Sequence, residues 1–205
     1  MRLGWLAGWL GAGLAIYLRI VARTCRVRGR VTRDQVILTH WHEFNMLAFV
    51  MARKLRGDLP HASFSTEGFR GMVITSMFRH SGTPVSVLPL PAEADRAAGA
   101  VLATCLSRLA ASGYSLIITP DGPFGPAHVA KPGALIVARE SGLPILPWGF
   151  DLRPAIRLTG RWDRQLLPLP FCTIKVRRAD PFHIGARAQL RPLVKRLQSG
   201  LEAVS

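Results

Sequence analysis

An α/β domain built on a largely parallel sheet and preceded by an apolar helix is what this sequence predicts. Three observations lead there. Short apolar runs alternate with longer helix-like segments, the pattern of βαβ units in which helices cover both faces of a sheet. The first uncharged stretch, Leu3–Leu18, stands ahead of that alternation. The chain has 205 residues, enough for one well-buried domain and too few for two large ones. Residues 1–30 are therefore expected to form a membrane-anchor helix with a basic linker, and residues 31–205 a single α/β domain.

The segment from Leu3 to Leu18 (LGWLAGWLGAGLAIYL) carries no charge, and Arg19, Arg23, Arg26, Arg28, Arg30 and Arg33 follow it closely. As a helix it is about 24 Å long, slightly short of a hydrocarbon core of about 30 Å. Extension through Ile20 to Ala22 with a snorkelling Arg19 would nearly span. Trp5, Trp9 and Tyr17 suit the headgroup boundary. Basic residues after the apolar run hold the rest of the chain on the cytoplasmic side. The alternatives are a secretory signal, disfavoured by the lack of a small-x-small cleavage site, and a helix buried on the domain.

Gln35–Thr39 (QVILT) then reads as a strand and Trp41 to about Leu55 as a helix. His61–Ser65 is a weak strand, Glu67–His80 helix-like, and Pro84–Leu88 a strand. Ala94–Ser112 is a helix rich in Ala and Leu, stopped by Gly113. Tyr114–Thr119 is a buried strand, and Pro132–Ser141 a helix with Pro at its start and Gly142 past its end. Leu143–Phe150 is a strand whose prolines belong at its ends or on an edge. Cys172–Arg177 is the last strand, and a helix from about Ala186 to Val204 carries Leu190, Leu193, Val194, Leu197 and Leu201 on one stripe.

Composition narrows the function. There are 27 Lys and Arg against 12 Asp and Glu, a net charge of +15, while charged residues are only 19% and hydrophobic ones 49%. A strongly positive chain seeks nucleic acid or an anionic membrane. The apolar excess favours the membrane, and no zinc-finger spacing or RNP-type motif supports nucleic acid, which is not expected as a partner. Cys25, Cys105 and Cys172 are far apart and odd in number, so neither a metal site nor a disulfide framework is read from them.

Two constellations carry chemistry. The strand QVILT runs directly into His40–Trp41–His42–Glu43, at the carboxyl end of a strand where α/β sheets gather ligands and catalytic groups. Imidazole is suited to removing a proton from a hydroxyl near neutral pH, and needs a partner on its other nitrogen. Two histidines spaced by one residue point to different sides, so only one faces the site; His42 is the preferred base and His40 the alternative. Glu43 is its neighbour but splays away on a helix, so Glu67, just after the next strand, is the expected carboxylate. The alternatives are a hydrogen-bonded structural histidine and a His40–His42–Glu43 metal site, for which no third ligand with known spacing stands nearby. No metal or cofactor is expected.

The second constellation is Thr119–Pro126 (TPDGPFGP), a stiff loop between a strand and a helix, with Lys131 beside the helix start. Exposed N–H groups and a helix N-terminus describe a site for phosphate or another anionic headgroup. The alternative is a rigid connector in which Asp121 caps the turn.

Taken together, Trp41–His42, the run Ile118–Pro147 (ITPDGPFGPAHVAKPGALIVARESGLPILP) and Arg161–Trp162–Asp163 followed by LPLPF resemble the lysophospholipid acyltransferase superfamily. The resemblance covers roughly residues 35–182 and is nearest to a bacterial branch with a Trp-His motif in place of Asn-His-x4-Asp, a branch that includes secondary acyltransferases of lipid A. It implies that His42 is the catalytic base and that Pro120, Asp121, Gly122 and Gly125 belong to the loop binding the acceptor's phosphate. Leu47 stands where the wider family has its Asp; His40 has Asn45 at that spacing. Arg70 or Lys131 would supply the cation that the family loop carries as Arg. The resemblance further implies an acyltransferase of the bacterial inner membrane, on its cytoplasmic face. It would move a fatty acyl group from acyl-CoA or acyl carrier protein to the hydroxyl of a lysophospholipid or a lipid A-type acceptor. Membrane lipids and the acyl donor are the expected partners. A catalytically inactive lipid-binding protein of the same fold, and a hydrolase using His-activated water, are the alternatives.

Overall fold

The computed structural model describes residues 2–29, 32–55, 59–82, 85–91 and 96–205. The expected strand start at Pro84, the helix start at Ala94 and the boundary at residues 30–31 lie outside the described residues. The chain runs α1 (Arg2–Thr24), β1 (Arg26–Arg28), β2 (Ile37–Thr39), a short 3-10 turn (His42–Phe44), α2 (Asn45–Leu55), β3 (His61–Thr66), α3 (Phe69–Arg79) and β4 (Val85–Leu90). It continues with α4 (Arg96–Ala111), β5 (Ser115–Ile118), α5 (Gly133–Ser141), β6 (Ile145–Arg157), β7 (Leu166–Arg178) and α6 (Leu190–Val204).

Among the described residues seven strands form one sheet in the order β1-β7-β6-β2-β5-β3-β4. All neighbours are parallel except β6 and β7, which pair antiparallel as a long hairpin. The expected α/β architecture is thus the observed one. Every residue of β2 and β5 is buried, as strands covered on both faces require. The core runs through Ile37, Leu116, Leu146, Leu135 and Leu106, each at most 1% exposed.

Two features exceed the sequence expectation. Strands β6 and β7 each reach 13 residues, β6 running on past Phe150 to Arg157 and β7 starting at Leu166, well before Cys172. Prolines at 147, 154, 168 and 170 argue against such length, because each lacks a ladder donor. The hairpin accommodates three of them: its register shifts between Arg153 and Ala155, and β7 pairs with β1 only over Thr173–Lys175, leaving Pro168 and Pro170 where β7 has a free edge. Pro147 stands before the hairpin register, opposite Thr39 of β2. Strand β1 is too short to read from sequence.

Helix α1 is long and apolar enough to cross a membrane, with a third of its most apolar window buried. It is packed onto the domain. Gly11 lies so close to α3 that a Cβ there would overlap Val73 O and Ser76 Cβ. The Ser76 hydroxyl donates to Gly8 O at 2.8 Å, and the Tyr17 hydroxyl to Pro168 O at 2.7 Å. The boundary near residue 30 therefore divides the sequence by composition but does not separate α1 from the core.

Candidate functional site

Register brings the two sequence constellations together. Strands β2 and β5 are parallel neighbours with Thr39 opposite Ile118. His42 and Asp121 each stand three residues beyond that pair, at the same edge of the sheet. The imidazole Nδ1 of His42 lies 2.9 Å from Asp121 Oδ1, and the His42 backbone N–H donates to the same carboxylate at 3.2 Å. The His128 backbone N–H reaches Asp121 Oδ2 at 3.2 Å.

Asp121 is buried. Burial alone would push its pKa up; the hydrogen bonds from His42 and His128 and the nearby imidazole outweigh it and hold the value below the usual carboxylate range. An ionised carboxylate is acceptor only, so His42 carries its proton on Nδ1 and leaves Nε2 as the free base. Nε2 lies 3.3 Å from the Thr119 hydroxyl, and His42 lines a cavity of about 370 Å³.

That cavity is mainly apolar, with Met46, Phe49, Phe64, Ile74, Met77 and Phe78 in its wall and Leu14 of α1 closing one side. It opens because β3 leaves β5 after Ala62, so that Ser63–Thr66 on one side and Ile117 and Thr119 on the other line a gap instead of a ladder. The divergence also settles the carboxylate. Glu67, at the far end of β3, is exposed, lines a separate open groove beside α1 and makes no hydrogen bond with His42. The expected Glu67–His42 pair is replaced by Asp121–His42.

The loop after β5 is held rather than open. Lys131 donates through Nζ to Gly125 O at 2.7 Å and through its backbone N–H to Pro120 O at 2.8 Å. Gln198 of α6 accepts from Ala130 N–H and donates to His128 O, both at 2.8 Å. Asp121 and Lys131, expected to meet a substrate phosphate, are thus turned onto His42 and onto the loop's own carbonyls. Gly122 lies against the imidazole, where a Cβ would overlap His42 Cε1. Gly125 has φ +73° and its Cα faces the Trp162 ring. Gly122→Ala should displace the imidazole; with His42 as the base that the family resemblance implies, turnover should fall by about 10²-fold, the loss expected of a catalytic group misplaced by about 1 Å. Turnover beside circular dichroism of the purified variant checks this.

Trp162, at the tip of the β6–β7 hairpin, packs its ring 5.0 Å from that of His42. It is fixed by its neighbours: Arg161 grips the buried Asp163 in a bidentate pair at 2.8 and 2.7 Å. Arg161 and the exposed Arg70 line the cavity, as does Asn45. Trp162 stood in the sequence only as part of the Arg161–Trp162–Asp163 stretch that carries the resemblance, with no role assigned to it, and the apolar cavity wall reads there as ordinary core. Glu43 takes the place geometry allows it, accepting from Arg157 at 2.6 Å and lying 3.0 Å from His128 Nε2. Trp41 is fully buried and stacks on His128 at 5.3 Å, supporting the loop from below.

His40 points away from the cavity. It is fully buried, with Nδ1 3.0 Å from Trp41 O and Nε2 without a partner. It is therefore not a substrate contact, and the His40–His42 pair does not converge. Among the described residues no cluster of three His, Cys, Asp or Glu is placed to hold a metal. Burial pulls His40 down from 6.5 to about 4. Between those two values the unfolded chain binds a proton at this position that the folded chain does not. Stability from His40 is full above pH 6.5 and falls as the pH drops towards 4, by at most about 1.4 kcal/mol per pH unit. Denaturant titrations at pH 7 and 5 should show this slope, and His40→Gln should flatten it.

The fold and site define an α/β protein with a His–Asp pair at an apolar cavity. No protein-family model matches the chain, and no solved structure matches it. Over 172 residues it is 26% identical to an uncharacterized protein of Rickettsia prowazekii (strain Madrid E), an overlap of 80% of this chain and 75% of that protein.

Proposed function

We propose that this protein is a membrane-associated acyltransferase, moving a fatty acyl group from a thioester to a lipid hydroxyl with His42 as general base. The carrying observation is the His42–Asp121 pair at 2.9 Å on the rim of an apolar cavity of about 370 Å³, a size within the range of small-molecule sites. A cavity of that character suits an acyl chain, and the free Nε2 suits proton removal at the chain's reacting end.

In this reading the acyl chain lies among Phe49, Phe64 and Met77, with its thioester carbonyl near His42. Nε2 takes the proton of the acceptor hydroxyl while that oxygen attacks the carbonyl carbon. Collapse of the tetrahedral intermediate breaks the C–S bond, and the imidazolium returns the proton to the departing thiolate. Asp121 holds the tautomer and stabilises the transient cation. Arg70, rather than the loop after β5 or the Arg161 paired with Asp163, is the cation beside the cavity for an anionic headgroup. The net charge of +15 draws acyl-CoA, acyl carrier protein and anionic lipid alike, an attraction that weakens as salt rises. The basic residues after α1 support a cytoplasmic position for the domain, and the family resemblance supports a bacterial inner membrane.

The test is transfer from labelled acyl-CoA and acyl carrier protein to a panel of lysophospholipids and lipid A precursors. Acylated lipid establishes the reading and identifies both substrates. Free fatty acid alone would indicate a hydrolase, and lipid bound without turnover a binding protein; either result overturns the transferase.

A further inference from the structure

Helix α1 is apolar on two opposite faces, and the domain covers only one. Ala7, Gly11, Ala15, Leu18 and Ala22 recur every three or four residues and are buried. On the other side Leu6, Trp9, Gly13, Ile16 and Ile20 recur at the same spacing and are exposed, Trp9 at 73% and Ile16 at 57%. Leu3, Trp5 and Leu10 widen that surface. Just past it Phe171, 77% exposed, has its backbone N–H on the Thr24 hydroxyl at 3.1 Å. A helix that is apolar all round needs protein or lipid on every side. Arg23, Arg26 and Arg28 are exposed at its end, which matches an anionic lipid surface.

We propose that α1 lies in the plane of the membrane, sunk on its outer stripe into one leaflet, and does not cross it. This rests on the membrane association proposed above and goes beyond it in geometry. The helix is held to the domain from one end to the other. Gly8 and Gly11 meet α3, Tyr17 meets β7, and Lys54 of α2 donates to Ala22 O and Cys25 O at 3.0 and 2.6 Å. A crossing helix would draw Lys54, Arg79 and His80, which lie on or beside its neighbours, into hydrocarbon. An in-plane helix leaves them in water. Since Leu14 of the same helix lines the cavity, the in-plane position also sets the cavity wall at the level of the lipid surface.

Depth measurement tests this. Leu6→Cys, Leu10→Cys, Ile16→Cys and Ile20→Cys would each carry a nitroxide on the full chain in Cys105→Ser background, Cys25 and Cys172 being buried. The vesicles would contain phosphatidylethanolamine and phosphatidylglycerol, with depth read by power saturation. The expected result is one shallow depth for all four labels, within about 5–10 Å of the headgroup boundary. A steady progression over about 21 Å from position 6 to position 20, the length of 14 helical residues, would mean a spanning helix. It would overturn the in-plane placement and leave membrane association standing. Labels that never contact lipid, with a doubled mass in solution, would show a second copy covering the stripe and overturn both. Acyl transfer by the unlabelled protein is read separately and does not depend on these outcomes.

Discussion

His42→Ala should lower acyl-transfer turnover by about 10²–10⁴-fold, the usual contribution of a general base. The imidazole is the group whose free nitrogen lines the cavity while its other nitrogen is tied to a carboxylate. Removing it takes away the proton acceptor at the rim of the cavity, while the apolar wall of Met46, Phe49, Phe64 and Met77 and the packing of α1 stay in place. The variant should bind the same vesicles as wild type and give the same circular dichroism spectrum. Turnover within a few-fold of wild type would eliminate His42 as the base.

Asp121→Asn should cost nearly as much, about 10²–10⁴-fold, because it removes what makes His42 basic at Nε2. An amide can present its NH₂ to Nδ1, which favours the tautomer with its proton on Nε2 and no base facing the cavity. It also leaves the transient imidazolium without a counter-charge. Because Asp121 is held below the usual carboxylate range, wild-type turnover should not lose this partner until strongly acidic pH. Its stabilisation is present above the ordinary carboxylate value and is lost only as the pH falls through the lower folded one. Glu67→Gln serves as the contrast, with turnover expected within about twofold, as for a surface position away from the chemistry. The opposite ranking of these two variants would return the role to Glu67.

Much of the site was legible because strand ends are. The passage from QVILT into His40–Trp41–His42, and from SLII into Thr119–Pro120–Asp121, marks two loops at one edge of a parallel sheet. The choice of partner for His42 was not legible. Glu67 and Asp121 both follow strands with the right polarity, and only the pairing order decides which strand lies beside β2. Strand β5 does, while β3 is one place further out and diverges. His40 and His42 were equally ambiguous, since one intervening residue sends two side chains to different sides without saying which side holds the cavity.

By itself the sequence determined the alternation of strands and helices, the apolar first helix, the stiff loop and the pair of histidines at the end of a strand. Each of these is written in local periodicity, in prolines and glycines, or in residue types at a strand end. Tertiary structure alone decided that Asp121 holds His42, that Lys131 binds its own loop, and that β3 parts from β5 to open a cavity. It also decided that α1 is packed along the domain with one apolar face uncovered. Those outcomes depend on which distant segments become neighbours, and side-chain contacts across a sheet carry no signature in the residues between them.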